Sequence, residues 1–416
     1  MRRHLLFSVL IGLVFVSVAH GQTCPSEHSP GVLWSGAEHW YLGDQGFSEA
    51  CAETQSTNVY CQGPKVPRKD KKLSLTYGQV LTLGDFYLEE ELAWEEDGNT
   101  EISNGGMKRI FKCIDKQGKV HEEQREKPEV DYPHCQWAIF FNSRHSLQTV
   151  MANIEHFGWN NMKAYVRAHT KALNEAKLAG ELRAQGDLEG SDLHLRKALY
   201  LNAFGDHFLT DAFAAGHIRV PRRQLKSWGE DRLGGLFKKF KGDILSMALH
   251  DTEAKDPQGF EIGFPVKNSE NLRWRTRSDS KLNECRQESH IGIRMPVEAV
   301  SQSVREVLLA YEEGSIPIGV FAAAALVPYA DDSGLEAKVA ALAGEEGLDH
   351  LAERLRDALP SVLKLIISEG DFRKMLTNMG SIMGLFRQDV ARDLERDSKL
   401  SERLPRAYID AYLNVN

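Results

Sequence analysis

The chain has 416 residues, with 51 Lys and Arg against 59 Asp and Glu and a formal net charge of −8 at neutral pH. That balance excludes a nucleic-acid binder working through a broad basic footprint. Beyond the N-terminus no stretch reaches the roughly 18 uninterrupted apolar residues that argue for a transmembrane helix.

Met1-Arg2-Arg3 is a positive leader, Leu5 to Val18 an apolar run, and Ala19-His20-Gly21 a small-x-small cleavage site, which together predict a signal peptide over 1–21. Losing Arg2 and Arg3 takes the charge from −8 to −10, and the mature chain is expected to be exported, periplasmic or extracellular. Six cysteines remain, Cys24, Cys51, Cys61, Cys113, Cys135 and Cys285. In an exported protein they are expected to form disulfides. Cys51 with Cys61 and Cys113 with Cys135 are the local pairs, although spacing does not fix connectivity.

Residues 22–70 are rich in Ser, Gly, Pro and Lys and read as an irregular, disulfide-tied arm pinned by Trp34, Trp40 and Tyr41. A helix is expected within Leu73 to Tyr87, capped by Ser74 or Thr76, with Asp85 near its end. Asp85 is there either a helix-end aspartate or a functional one. Residues 88–135 are acidic, and MKRIFKCIDKQGKV reads as a hairpin turning at Lys116-Gln117-Gly118. His145 to Phe157 is predicted helical, with His156 beside a core stripe of Met151, Ile154 and Phe157. A long Ala-rich amphipathic helix follows from Asn160 to about Gln185 and suggests close packing in a bundle. His169 within it is expected to be structural or exposed, and His194 to lie on a solvated turn.

From Lys197 the apolar residues Leu201, Phe204, Phe208 and Ala212 recur at helical spacing up to Ala215, where Gly216 offers a stop. His207 and Asp211, four apart, share one face and can close on one metal ion. A bend at Gly216 would bring His217 back toward Asp211, whose second oxygen could take a second ion about 3.5–4 Å away. The plainer alternative is a hydrogen-bonded core histidine. Against it, two His and one Asp in so short an apolar segment are costly to bury unless paired or metal-bound.

Arg222, Arg223, Lys226, Lys238, Lys239 and Lys241 make a locally basic stretch, either a solvated helix face or a surface for phosphate headgroups. Phe237 to His250 reads as helix, and Glu253 follows His250 by three positions. Residues 255–285 read as irregular with strand-like pieces, and Pro296 to Tyr311 as an amphipathic helix. From about 316 the Ala, Leu, Glu and Arg pattern predicts a helical extension, with Leu363, Ile366, Ile367, Met375, Met379 and Met383 expected in a core.

His207-Phe-Leu-Thr-Asp211, five residues, then His217 resembles the metal helix of the bacterial zinc-dependent phospholipases C and of the fungal zinc nucleases that share their fold. His156-Phe157, Thr76-Tyr77-Gly78-Gln79, Gly84-Asp85-Phe86-Tyr87 and Gly216 to Arg222 extend the resemblance over roughly residues 72–312. It looks closest to a secreted proteobacterial phospholipase C-like branch.

The resemblance implies an all-α multi-helix bundle with a catalytic domain over 71–312; it says little about the rest, where the residues' own pattern gives irregular disulfide-tied segments and a helical C-terminal extension over 313–416. It further implies two or three zinc ions held by His156, His207, Asp211, His217, His250 and Glu253, with Asp85 orienting or deprotonating the attacking water. The best-known members space the later pair as HxxxE, which would put Ala254 at the carboxylate, so Glu253 or Asp251 must stand in. In the family an N-terminal segment can serve a third zinc; Gln22 does not match it, and His28 or His39 are the substitutes at hand. The segment 88–135 looks like an insertion relative to the family.

The expected function is a secreted zinc-dependent phosphodiester hydrolase, a phospholipase C acting on phospholipid at a membrane surface, with no stable nucleic-acid partner. The alternatives are a nuclease or phosphodiesterase on the same fold, or a catalytically lapsed metal-binding relative.

Overall fold

The structure is a computed structural model that describes residues 36–63, 65–87, 89–95, 102, 104–126, 154–235, 237–252, 264–277, 282, 291–331, 345–357, 359, 361 and 363–414. The signal-peptide, Glu253 and His28 expectations lie outside them. The chain is predominantly helical, as expected.

It opens with α1 (Gly36–Thr54) and α2 (Val59–Gln62), then a short hairpin, β1 (Lys65–Pro67) with β2 (Ser74–Thr76). Helix α3 (Tyr77–Thr82) starts on a capping box in which Thr76 and Gln79 exchange side-chain and backbone hydrogen bonds, and it tightens into a 3-10 turn, Leu83–Asp85. Helices α4 (Glu90–Trp94) and α5 (Asn104–Glu126) follow. The central hairpin is α6 (Trp159–Ala184) with α7 (Leu188–Asp211), which Asp187 caps by accepting from Gly190 N. Beyond it come α8 (Ala215–Arg219), α9 (Arg222–Arg232) and α10 (Lys238–Thr252). A small antiparallel sheet of order β4-β3-β5 is built from β3 (Phe264–Lys267), β4 (Arg273–Thr276) and β5 (Tyr329–Ala330). Helix α11 (Ile291–Glu313) and α12 (Ala322–Leu326) precede β5, and α13 (Glu345–Asp357), α14 (Glu369–Thr377), α15 (Met379–Arg396), α16 (Ser398–Arg403) and α17 (Arg406–Leu413) complete the chain.

Helix α7 is the axis. It packs along α6 and is crossed by α1, α3 and α11, so that it is buried from Leu199 to Asp211. Two apolar cores flank its C-terminal end. The larger joins Phe204, Phe208 and Ile218 to Leu400, Leu404, Tyr408 and Tyr412 of the last helices. The second joins Phe157, Leu225 and Leu245 to Leu355, Ile367, Phe372 and Met375. The C-terminal helices are therefore part of both cores; Trp159 Nε1 donates to Asp393 at 3.1 Å, and Tyr412 Oη to Ile218 O at 3.2 Å.

Five local expectations need correction. The supposedly irregular arm contains α1, whose Leu42, Phe47 and Ala50 are buried. The predicted hairpin at Lys116 is instead the middle of α5, where Met107, Ile110, Phe111 and Ile114 sit at helical spacing and are buried. His156 and Phe157 stand in a turn, not a helix, and His194 is inside α7, bonded to Glu175 at 2.6 Å. The helix carrying His207 ends at Asp211, and Gly216 lies inside α8.

A disulfide joins Cys51 to Cys61 as expected, and Cys113 is bonded to a cysteine outside the described residues. Such bonds form in an oxidising compartment. Among the described residues no helix is long and apolar enough to cross a membrane.

Candidate metal centre

His207 and Asp211 lie one turn apart at the buried end of α7, with His207 Nε2 3.4 Å from Asp211 Oδ2. Because α7 stops there and the chain turns through Ala212–Ala214 before α8, His217 returns to the same end, its Nδ1 3.8 Å from Asp211 Oδ1. The turn before α6 brings His156 Nδ1 to 2.8 Å from Asp211 Oδ2 and 3.0 Å from His207 Nε2. The 3-10 turn after α3 brings Asp85 Oδ1 to 3.6 Å from His207 Nε2. Helix α1 contributes His39, its Nε2 3.4 Å from Asp211 Oδ1.

The two oxygens of Asp211 thus face different imidazole pairs, Oδ1 toward His39 and His217, Oδ2 toward His156 and His207. Two sets, His39 with Asp85 and His207, and His156 with His207 and Asp211, have all their ligand atoms within 4.8 Å of one another.

Several hydrogen bonds fix which nitrogen carries the lone pair. Thr210 Oγ1 donates to the carbonyls of Asp206 and His207, so it accepts from His39 Nδ1–H at 2.9 Å. Neutral His39 then presents its lone pair on Nε2, toward Asp211. His217 Nδ1 donates to the His156 carbonyl at 2.5 Å, which leaves its lone pair on Nε2. A backbone partner on the second ring nitrogen is the usual way a metal-binding histidine is oriented. The His217 ring is further held by a parallel stack on Phe157 at 4.6 Å, with the Arg222 guanidinium over the other ring at 4.9 Å.

The electrostatics follow from burial and crowding. Burial pushes His207 well below its ordinary range, opposed by Asp211 and reinforced by the rings of His39, His156 and His217. Burial alone would raise Asp211, but the imidazoles of His207, His217 and His156 hold it well below the usual carboxylate range. Asp211 is therefore an anion with 1 % of its side chain exposed, and its Oδ2 accepts no hydrogen bond of normal geometry despite nitrogens at 2.8 and 3.4 Å.

A neutral His39 lone pair facing the Asp211 carboxylate at 3.4 Å is poorly satisfied by protons and well satisfied by a cation. Donors bound at about 2.0–2.1 Å around a tetrahedral ion stand about 3.3 Å apart, and the separations within the His156, His207 and Asp211 set run from 2.8 to 3.4 Å. Imidazole nitrogen and carboxylate oxygen are the donor types that such an ion takes. The buried His and Asp groups can hold a metal ion.

Two glycines make the approach possible. A Cβ on Gly84 would lie 2.3 Å from the His207 ring, and one on Gly216 would lie 2.6 Å from the His250 ring. His250, at the end of α10, meets His217 edge-on with centroids 4.9 Å apart, but it belongs to neither set of converging donors.

Of the residues singled out in the sequence, Asp85, His156, His207, Asp211 and His217 are brought together, His250 borders them, and Glu253 lies outside the described residues. His39 was considered only as a substitute for an N-terminal ligand, yet it sits in the centre; its contact with Thr210 spans 171 positions, which no local spacing signals. Also absent from the sequence reading is Asp206, raised to about 7 by burial, which accepts from Tyr77 Oη at 2.6 Å and Ser303 Oγ at 2.7 Å. It locks α3 and α11 onto the back of α7. His169, read as structural or exposed, is fully buried and joins the same network through Asn202 and Glu306 at 2.5 and 2.8 Å. Comparison with protein-family models, curated proteins and solved structures found no match to this chain.

Proposed function

We propose that the protein is an exported, zinc-dependent phosphodiester hydrolase of the phospholipase C type, on a bundle like that of the zinc phospholipases C and nucleases. The observation that carries this reading is the buried Asp211 carboxylate with a different pair of imidazoles facing each oxygen, as a residue bridging two ions requires. His156 and His207 would serve one side, His39 and His217 the other, with His250 and Glu253 completing the set from α10 and the segment after it. Zinc bound there lowers the pKa of a coordinated water to about 7 and offsets the charge that builds on a phosphoryl group.

The chain's own contribution is positional. Asp211, 1 % exposed, is the fixed anion. Asp85, with 10 % of its side chain exposed and only 3.6 Å from His207, is the carboxylate placed to orient the attacking water and accept its proton. The sequence features 1–21 and the disulfide support export to the periplasm or beyond.

The test is elemental analysis of the purified protein beside hydrolysis of phosphatidylcholine vesicles with and without chelator. Two or three zinc per chain with chelator-sensitive headgroup release supports the reading. Zinc with cleavage of single-stranded nucleic acid and none of lipid would replace it with the nuclease alternative. Zinc without turnover on either substrate would mark a lapsed relative, and absence of bound metal would make these residues a polar core.

A further inference from the structure

The helix that ends at His250 begins on a surface unlike the rest of the molecule. Before α10 the chain runs Gly234-Gly235-Leu236-Phe237-Lys238-Lys239-Phe240-Lys241. Phe237 and Phe240 are 45 % and 41 % exposed, although their apolar neighbours Leu233, Ile244 and Leu245 are buried in the second core. Lys238 and Lys239 are exposed between them and form no ion pair among the described residues, whereas Lys241 is held by Asp371 at 2.8 Å and Lys226 by Asp243 at 3.7 Å. Gly235, with φ +99°, turns the chain in open space, a Cβ there meeting nothing closer than Lys241 Nζ at 4.0 Å.

This arrangement is unfavourable for a protein surrounded by water alone. Exposed phenylalanines lose the benefit of burial. Lysines in the first turn oppose the positive end of the helix dipole, and that turn carries no acidic residue to offset them. Both features become favourable at one kind of boundary, where aromatic rings enter the acyl region and cations remain among phosphates.

We infer that the 234–241 turn docks the protein on an anionic phospholipid surface, with Phe237 and Phe240 inserted and Lys238 and Lys239 on the headgroups. The inference rests on the phospholipase reading for its substrate class and adds how the substrate surface is reached. Ten residues of helix separate Phe240 from His250, a rise of about 15 Å, so a membrane seated on the turn lies one helix length from the metal centre. At physiological salt the charges of the chain beyond about 8 Å are largely screened.

The experiment is flotation of the full-length exported protein with vesicles of phosphatidylcholine and phosphatidylserine in a 3:1 ratio, against vesicles of phosphatidylcholine alone, on wild type, Phe237→Ala/Phe240→Ala and Lys238→Gln/Lys239→Gln. Wild type is expected to favour the anionic vesicles. The lysine variant should lose about fivefold in affinity per charge removed, and the phenylalanine variant about tenfold or more on either vesicle. All four side chains are exposed, so circular dichroism should show unchanged folding. Equal binding of wild type to both vesicles, or wild-type binding by both variants, overturns the inference. Hydrolysis of a water-soluble phosphocholine ester should be the same in all three proteins; its absence in all of them would refute the hydrolase reading while leaving the vesicle result to stand or fall separately.

Discussion

At the scale of single residues, the proposed function gives Asp211 and Asp85 separable roles, one in holding a metal and the other in using it. Asp211 contacts four imidazoles between 2.8 and 3.8 Å. Asp211→Asn removes the anion while keeping the shape, so it should lower bound metal and turnover together by orders of magnitude, with the Cys51–Cys61 disulfide still formed. Elemental analysis and a headgroup-release assay on one sample would check this; full metal and full activity would refute the cluster. Asp85 reaches the centre from the turn after α3, 3.6 Å from His207, in the donor set that it shares with His39. Asp85→Asn should keep the metal and lower kcat by a factor of about 10²–10⁴, the range of a general base. An unchanged kcat would reduce Asp85 to the end of its 3-10 turn. Much of this site can be read locally, since His207, Asp211 and His217 fall within eleven positions on an apolar helix. His39 cannot be read so, because the hydroxyl that sets its tautomer and the carboxylate it faces both lie on a helix over a hundred residues away.

At the scale of elements, the same contrast between local and distant causes recurs. Helices α6, α7 and α11 show uninterrupted periodicity, and the Thr76 cap is visible as a capping box. Helix α1 is masked because Gly43 and Gly46 resemble loop residues; they are small because α3 and Val300 of α11 pack directly on them, with a Cβ at either position 2.6 Å from its neighbour. In α5 a Lys-Gln-Gly turn signal loses to the buried stripe of Met107, Ile110, Phe111 and Ile114. Helix α4 shows how a short element is tied down. Glu90, 1 % exposed, accepts from Lys171 Nζ at 2.6 Å and Arg167 Nη2 at 3.4 Å on α6. Burial alone would raise Glu90, but these two cations hold its carboxyl below the ordinary glutamate range. A depressed folded pKa means that the unfolded chain binds the proton more readily. The contribution to stability is thus complete above about pH 5 and is lost as pH falls below about 4.5 through the folded value. Glu90→Gln should cost about 1–2 kcal/mol at pH 7, modest because the cations are half exposed, and less at pH 3. Denaturant melts at both pH values would check this, and an equal cost at each would show that the charge contributes nothing.

At the scale of the whole molecule, the centre is where separate parts of the chain meet. Its donors come from α1, the turn after α3, the turn before α6, the end of α7 and α8. The two cores that meet beside it draw in the C-terminal helices as well. A cation at Asp211 therefore joins segments that no single element holds together, and its binding free energy adds to the stability of the entire fold. Without it, a buried anion and several imidazoles face one another at hydrogen-bond distances that their protons do not satisfy. Chelation should lower the melting temperature by on the order of 5–10 °C, from about 4 kcal/mol at a metal concentration a thousandfold above Kd, and added zinc should restore it. Calorimetry of the untreated, chelated and reconstituted protein measures this directly. If chelation removes metal yet leaves the transition unmoved, the ion sits elsewhere than at Asp211, because the loss of a ligand shared among five segments must register in the unfolding of all of them.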